Sequence, residues 1–163
     1  MARRVRMATL CALCSLLLLG TAAGAENLQV RSVAGVASTS TIPSRVKQEC
    51  NIQTDLSAAV AAHAGDNVKL VPKKPGSGLY LDLVITNVHA PGGGVFSGPK
   101  WVEARGKLSR GGKQVRSFRA KRTSSGPAAG TCGMLARVTN AMGKDIAGWL
   151  ADESAGSLLG DAR

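Results

Sequence analysis

Aromatic side chains are scarce in this sequence: two Trp, one Tyr and two Phe among 163 residues. Platforms for single-stranded nucleic acid stack bases on aromatic rings, so nucleic acid is a poor fit as partner. Histidine is as rare, with His63 and His89 alone. A zinc centre takes three or four N, S or O ligands, and this supply is too thin; the sequence predicts no metal and no cofactor. Charged residues are 19% against 44% hydrophobic, which excludes a highly charged disordered chain. No Gly-x-Ser-x-Gly elbow and no internal repeat occur. Asp82 and Asp145 would form a carboxylate pair only by chance, so a small hydrolase is the remotest reading and the expectation is a protein that is not an enzyme.

One apolar run does occur, Met7 to Leu19, preceded by Arg3, Arg4 and Arg6 and followed by the small-x-small stretch Ala23-Gly24-Ala25. This is the pattern of an export signal, residues 1–25, cleaved after Ala25, and it predicts a periplasmic or secreted bacterial protein whose only membrane contact is through that signal. The run is too short for a permanent span, and nothing later approaches the roughly 20 apolar residues one needs. Cys11 and Cys14 have redox-motif spacing but lie inside the signal. Their removal leaves Cys50 and Cys132, an even pair bound for an oxidising compartment, which predicts one structural disulfide; two free thiols are the alternative.

The remaining length suits a single domain. Residues 26–42 hold a weak apolar pattern (Leu28, Val30, Val33, Val36) and are expected to give a lead-in with one short strand. Residues 43–151 are expected to form a single α+β domain. From Ser44 to Ala64 apolar and small residues recur at helical spacing, closed by Gly65, with Asn51 or Thr54 able to start a shorter version. Val68 to Val71 is a brief strand. Leu79 to Ala90 is the strongest one, apolar on both faces and therefore central. Trp101 to Leu108 alternates Val102, Ala104 and Leu108 against Glu103, Arg105 and Lys107, which places Trp101 on the charged side. Arg110-Gly111-Gly112 reads as a hairpin turn with Val115 to Arg122 returning. Val115, Phe118 and Ala120 cannot share a face under strict alternation, so a bulge is expected near Arg116 or Ser117. Leu135, Val138, Met142, Ile146 and Trp149 define a last helix over 131–150, and residues 152–163 are expected to be a flexible tail. The fold class is α+β, an antiparallel or mixed sheet of four to five strands with two helices on one face. The cysteines, one in each helix, would join those helices.

The stretches Ile42-Pro43-Ser44 with Cys50, Gly92 to Trp101, Thr131-Cys132, and Gly143-Lys144-Asp145-Ile146 with Trp149-Leu150 resemble small exported bacterial proteins of unassigned function. In layout they are distantly similar to the α+β accessory domain at the amino end of TolB. The resemblance implies a fold and a compartment, and it carries no functional residue with it.

Net charge is +11 at pH 7, and without the three leader arginines it is +8. Nine cations fall in one stretch: Lys100, Arg105, Lys107, Arg110, Lys113, Arg116, Arg119, Lys121 and Arg122, opposed there by Glu103 alone. This basic hairpin has two readings, protection of an exposed sheet edge and attraction of an anionic polymer such as lipopolysaccharide. The Gly92-Gly93-Gly94 run with Phe96 and Trp101 is the second candidate surface. It lacks the Lys-Ser/Thr ending of a phosphate loop and reads as a wide strand connection or a partner-binding loop. The function expected is that of a non-enzymatic envelope accessory or interaction domain, its partner an unknown envelope protein or an anionic polymer. Polyanion binding through residues 100–122 is the alternative.

Overall fold

Seven strands form one mixed sheet, and three helices cover a single face of it. In this computed structural model the described residues are 26–92, 98–124 and 130–163; the expected export signal and Gly93, Gly94 and Phe96 lie outside them. The strands are β1 Leu28–Arg31, β2 Gly35–Thr41, β3 Val68–Val71, β4 Leu79–His89, β5 Lys100–Arg110, β6 Lys113–Ser124 and β7 Leu158–Gly160. The helices are α1 Ser44–Glu49, α2 Ile52–Ala64 and α3 Gly130–Ala151. The sheet runs β3-β1-β4-β5-β6-β7, with β2 also pairing β4. β4, β5 and β6 are antiparallel, while β1, β2, β3 and β7 join in parallel. The α+β class is as expected, with seven strands in place of four or five and three helices in place of two.

Alternation along the strands decides what each face holds. On one side Val30, Leu81, Leu83, Ile85, Val102, Ala104, Phe118 and Ala120 are buried against Leu56 and Val60 of α2 and Leu135, Val138, Met142, Ile146 and Trp149 of α3. α3 has the predicted length and stripe. Phe118 meets Trp149 edge-on, centroids 4.9 Å apart, which matches the favoured geometry of aromatic pairs. Gly106 sits opposite Phe118 because a Cβ there would lie 2.3 Å from its ring.

Three expectations are corrected, and the bulge expected near Arg116 is found one residue before it. Residues 26–42 are part of the sheet and supply two strands; β1 lies between β3 and β4 with Leu28 and Val30 buried, whereas Val33 and Val36 are exposed. The first helix is broken: Cys50 is extended (φ −119°, ψ 136°) and Asn51 takes the N-cap position of α2, a site that side chain favours over a helix interior. The bulge lies at Val115, since Leu108 pairs with Arg116 while Ser109 pairs with Gln114. Val115 is expelled to 50% exposure, and Phe118 and Ala120 keep the buried face. Finally, residues 158–160 are not a loose tail. β7 pairs with Arg119 to Lys121, Leu159 is buried, and the Asp161 carboxylate accepts the Thr123 N–H at 2.9 Å.

Candidate interaction surface

Cys50 and Cys132 are joined in a disulfide, with Cα atoms 5.2 Å apart and a separation of 82 positions in sequence. The bond ties the α1–α2 junction to the first turn of α3. A cavity of about 480 Å3 flanks it, lined by Pro43, Val46, Ala90 and Thr131 among others; neither histidine lines it. Among the described residues no group of three or more His, Cys, Asp or Glu could hold a metal ion, and no helix is long and apolar enough to cross a membrane.

The nine cations of the basic stretch divide according to which side of the sheet they face. Even-numbered positions of β5 up to Leu108 and of β6 from Arg116 share the helix side with Ala104, Phe118 and Ala120. Lys100 is therefore inside: it is 0% exposed and its Nζ donates to the Pro91 carbonyl at 3.1 Å. Its expected place on a partner surface is overturned, because β5 begins at residue 100 and its inward alternation includes that position. Arg116 lies over the Trp149 ring at 4.0 Å and donates to the Trp149 and Asp152 carbonyls, satisfying carbonyls that the end of α3 leaves without helical partners. Arg122 clasps Asp145 of α3 through two hydrogen bonds of 2.5 and 2.6 Å and reaches Asp161 at 3.6 Å. The hydrogen bond from Arg122 to Asp145 raises the guanidinium pKa further. Asp145 thereby ties α3 to the sheet.

Odd-numbered positions face away from the helices. Three rows of neighbours cross β4, β5 and β6: Asp82–Lys107–Ser117, Val84–Arg105–Arg119 and Asn87–Glu103–Lys121. A fourth row holds His89, Trp101 and Thr123. Trp101 stacks on His89, 5.3 Å between centroids, and Lys121 Nζ stands 4.5 Å from the Trp101 ring centre while pairing with Glu103 at 3.3 Å. Asp82 lies 4.0 Å from Arg31. Thr41 Oγ1 donates to Asn87 Oδ1 at the border with β2. Arg110 pairs with Glu26 at 3.1 Å at the hairpin end, where Lys113 is exposed. Gly92, at the end of the described segment 26–92, is exposed.

The division by faces has a measurable consequence. Arg122→Ala leaves a half-buried carboxylate without its fork and is expected to cost about 1–2 kcal/mol in urea denaturation, whereas Arg105→Ala is expected to stay within about 0.5 kcal/mol. Equal losses would mean that both arginines serve the fold.

No family model and no curated protein matches the chain. Solved structures do. Protein XCC0632 from Xanthomonas campestris, assigned to the family model DUF330, superposes with a TM-score of 0.51 at 12% identity, covering 77% of this chain and 83% of its own. The PelC dodecamer from Paraburkholderia phytofirmans gives a TM-score of 0.48 at 12% identity, covering 74% of this chain and 86% of its own. The likeness is one of fold. At such identity it transfers no residue and no activity.

Proposed function

We propose that the protein is a non-enzymatic accessory module of the bacterial envelope, exported by residues 1–25, that holds an anionic polymer on the open face of its sheet. One observation carries the reading: all three helices cover one face, and the other presents Arg105, Lys107, Arg119 and Lys121 within two adjacent strands. Their charge exceeds that of Glu103 and Asp82 on the same face. A cationic sheet face suits a repeating anion better than a small substrate, because its contacts are spread over a surface and gain from counterion release. It also disfavours pairing of two copies through this face, since like charges would meet.

The test is salt-dependent retention on immobilised heparin and lipopolysaccharide. The protein is expected to elute at a defined salt concentration, and the variant R105S/K107S/R119S/K121S much earlier. Elution of both at the same salt would overturn the reading.

A further inference from the structure

Arg105 and Arg119 are directly opposite one another on β5 and β6. Such cross-strand neighbours stand about 5 Å apart at Cα, and like charges in that position destabilise a sheet. Among the described residues neither has an ion pair: the nearby Glu103 is held by Lys121, and Asp82 faces Arg31. The row continues outward in both directions with an apolar residue. Val84 of β4 flanks Arg105, and Leu158 of β7 flanks Arg119 while remaining 53% exposed. Beside Arg119, though not reaching Arg105, opens a cavity of about 280 Å3 whose walls include Glu103, Lys121, Leu158, Asp161 and Arg163; Lys121 holds Glu103 and Arg122 holds Asp161.

Resting on the open face as the working surface, we propose that this row binds a phosphate monoester attached to a hydrocarbon. The two guanidinium groups take the phosphate oxygens, and Leu158 contacts the carbon side. Guanidinium forks match phosphate oxygens in pairs, and a dianion between the arginines turns their mutual repulsion into shared attraction. The exposed Leu158 beside the pair distinguishes an alkyl or glycosyl phosphate from free inorganic phosphate, which has nothing to place there.

The experiment is an NMR titration of the protein with inorganic phosphate and with hexyl phosphate at constant ionic strength, following the amides of Arg119 and Leu158. Hexyl phosphate is expected to bind at least fivefold more tightly than inorganic phosphate. R105S/R119S is expected to weaken both by tenfold or more, and L158S to abolish the preference while leaving inorganic phosphate within twofold. K73S/K74S, which removes the same charge from an exposed loop, is expected to change neither by more than twofold. An equal loss in K73S/K74S, or no preference for the alkyl ester, overturns the site. If the protein is retained on heparin yet binds neither phosphate, this inference fails and the polymer-binding reading stands; if retention is also absent, both fail.

Discussion

Replacing Cys50 and Cys132 together by serine is expected to lower the free energy of unfolding by about 4 kcal/mol. The bond closes a loop of 82 positions that contains α2 and the strands from β3 to β6. Without it the unfolded chain regains the freedom of that loop, and the chain-entropy account puts the difference between about 4 and 5 kcal/mol before any relaxation of the native state. A domain of ordinary stability has only about 5–15 kcal/mol in all. The native side of the balance should change little. Val46, Ile52 and Leu135 are buried around the bond, and two serines fill nearly the same space. Urea denaturation of the double variant against the oxidised protein checks the prediction. A loss below about 1 kcal/mol would mean that the packing of α1 and α2 on α3 already restricts the chain without the bond.

Much of this arrangement was legible in the sequence, and the parts that were not share a physical cause. α3 showed its stripe because Leu135, Val138, Met142, Ile146 and Trp149 repeat with the helical period over about four turns, and the β5–β6 hairpin showed its turn glycines. Both are local signals. β7 is three residues long and pairs in parallel with a strand on the far side of α3; nothing within Leu158–Gly160 announces a partner some 40 positions away. β1, four residues long, takes its place from β3 and β4 on its two sides. The break at Cys50 was present as Asn51 and Thr54, both able to start a helix, but the alanine-rich filling argued equally for one continuous helix.

The cationic stretch illustrates a different failure. Its charge was obvious, whereas its division into two faces depended on parity. Phe118 and Ala120 are apolar and two apart, so Arg116 and Arg122 share their side by simple alternation, and Lys100 follows Val102 and Ala104 in the same way. That signal was available, and the clustering of charge obscured it. The result matters for function. Lys100, Arg116 and Arg122 are engaged with the Pro91 carbonyl, the end of α3 and Asp145, so the proposed binding surface contracts to the cations on the other face.

Gly143 provides the second large effect. Glycine in the middle of a 22-residue helix costs roughly 1 kcal/mol relative to alanine, and Gly148 of the same helix is in that ordinary position, exposed with nothing within 4 Å of a Cβ built on it. At Gly143 a Cβ would lie 2.6 Å from the Ala59 Cβ, 2.7 Å from the Ala59 carbonyl carbon and 2.9 Å from the Val60 nitrogen. Two of those three atoms are backbone, so no side chain can rotate away, and α2 must move bodily off α3. The disulfide holds the far end of that contact, which turns the displacement into a tilt that opens the layer over Leu56 and Val60. Overpacking of this kind costs about 1–3 kcal/mol for one methyl group. Gly143→Ala, after its gain in helix propensity, is therefore expected to lose about 1–2 kcal/mol, and Gly143→Val, bulkier and β-branched, about 3 kcal/mol or more. Gly148→Ala, on the same helix and without the contact, is expected to gain up to about 1 kcal/mol. Opposite signs for the two alanine variants in urea denaturation would locate the cost in the approach of α2 to α3. A gain at both positions would show that the helices have room to separate and that close contact at Ala59 is not what holds them.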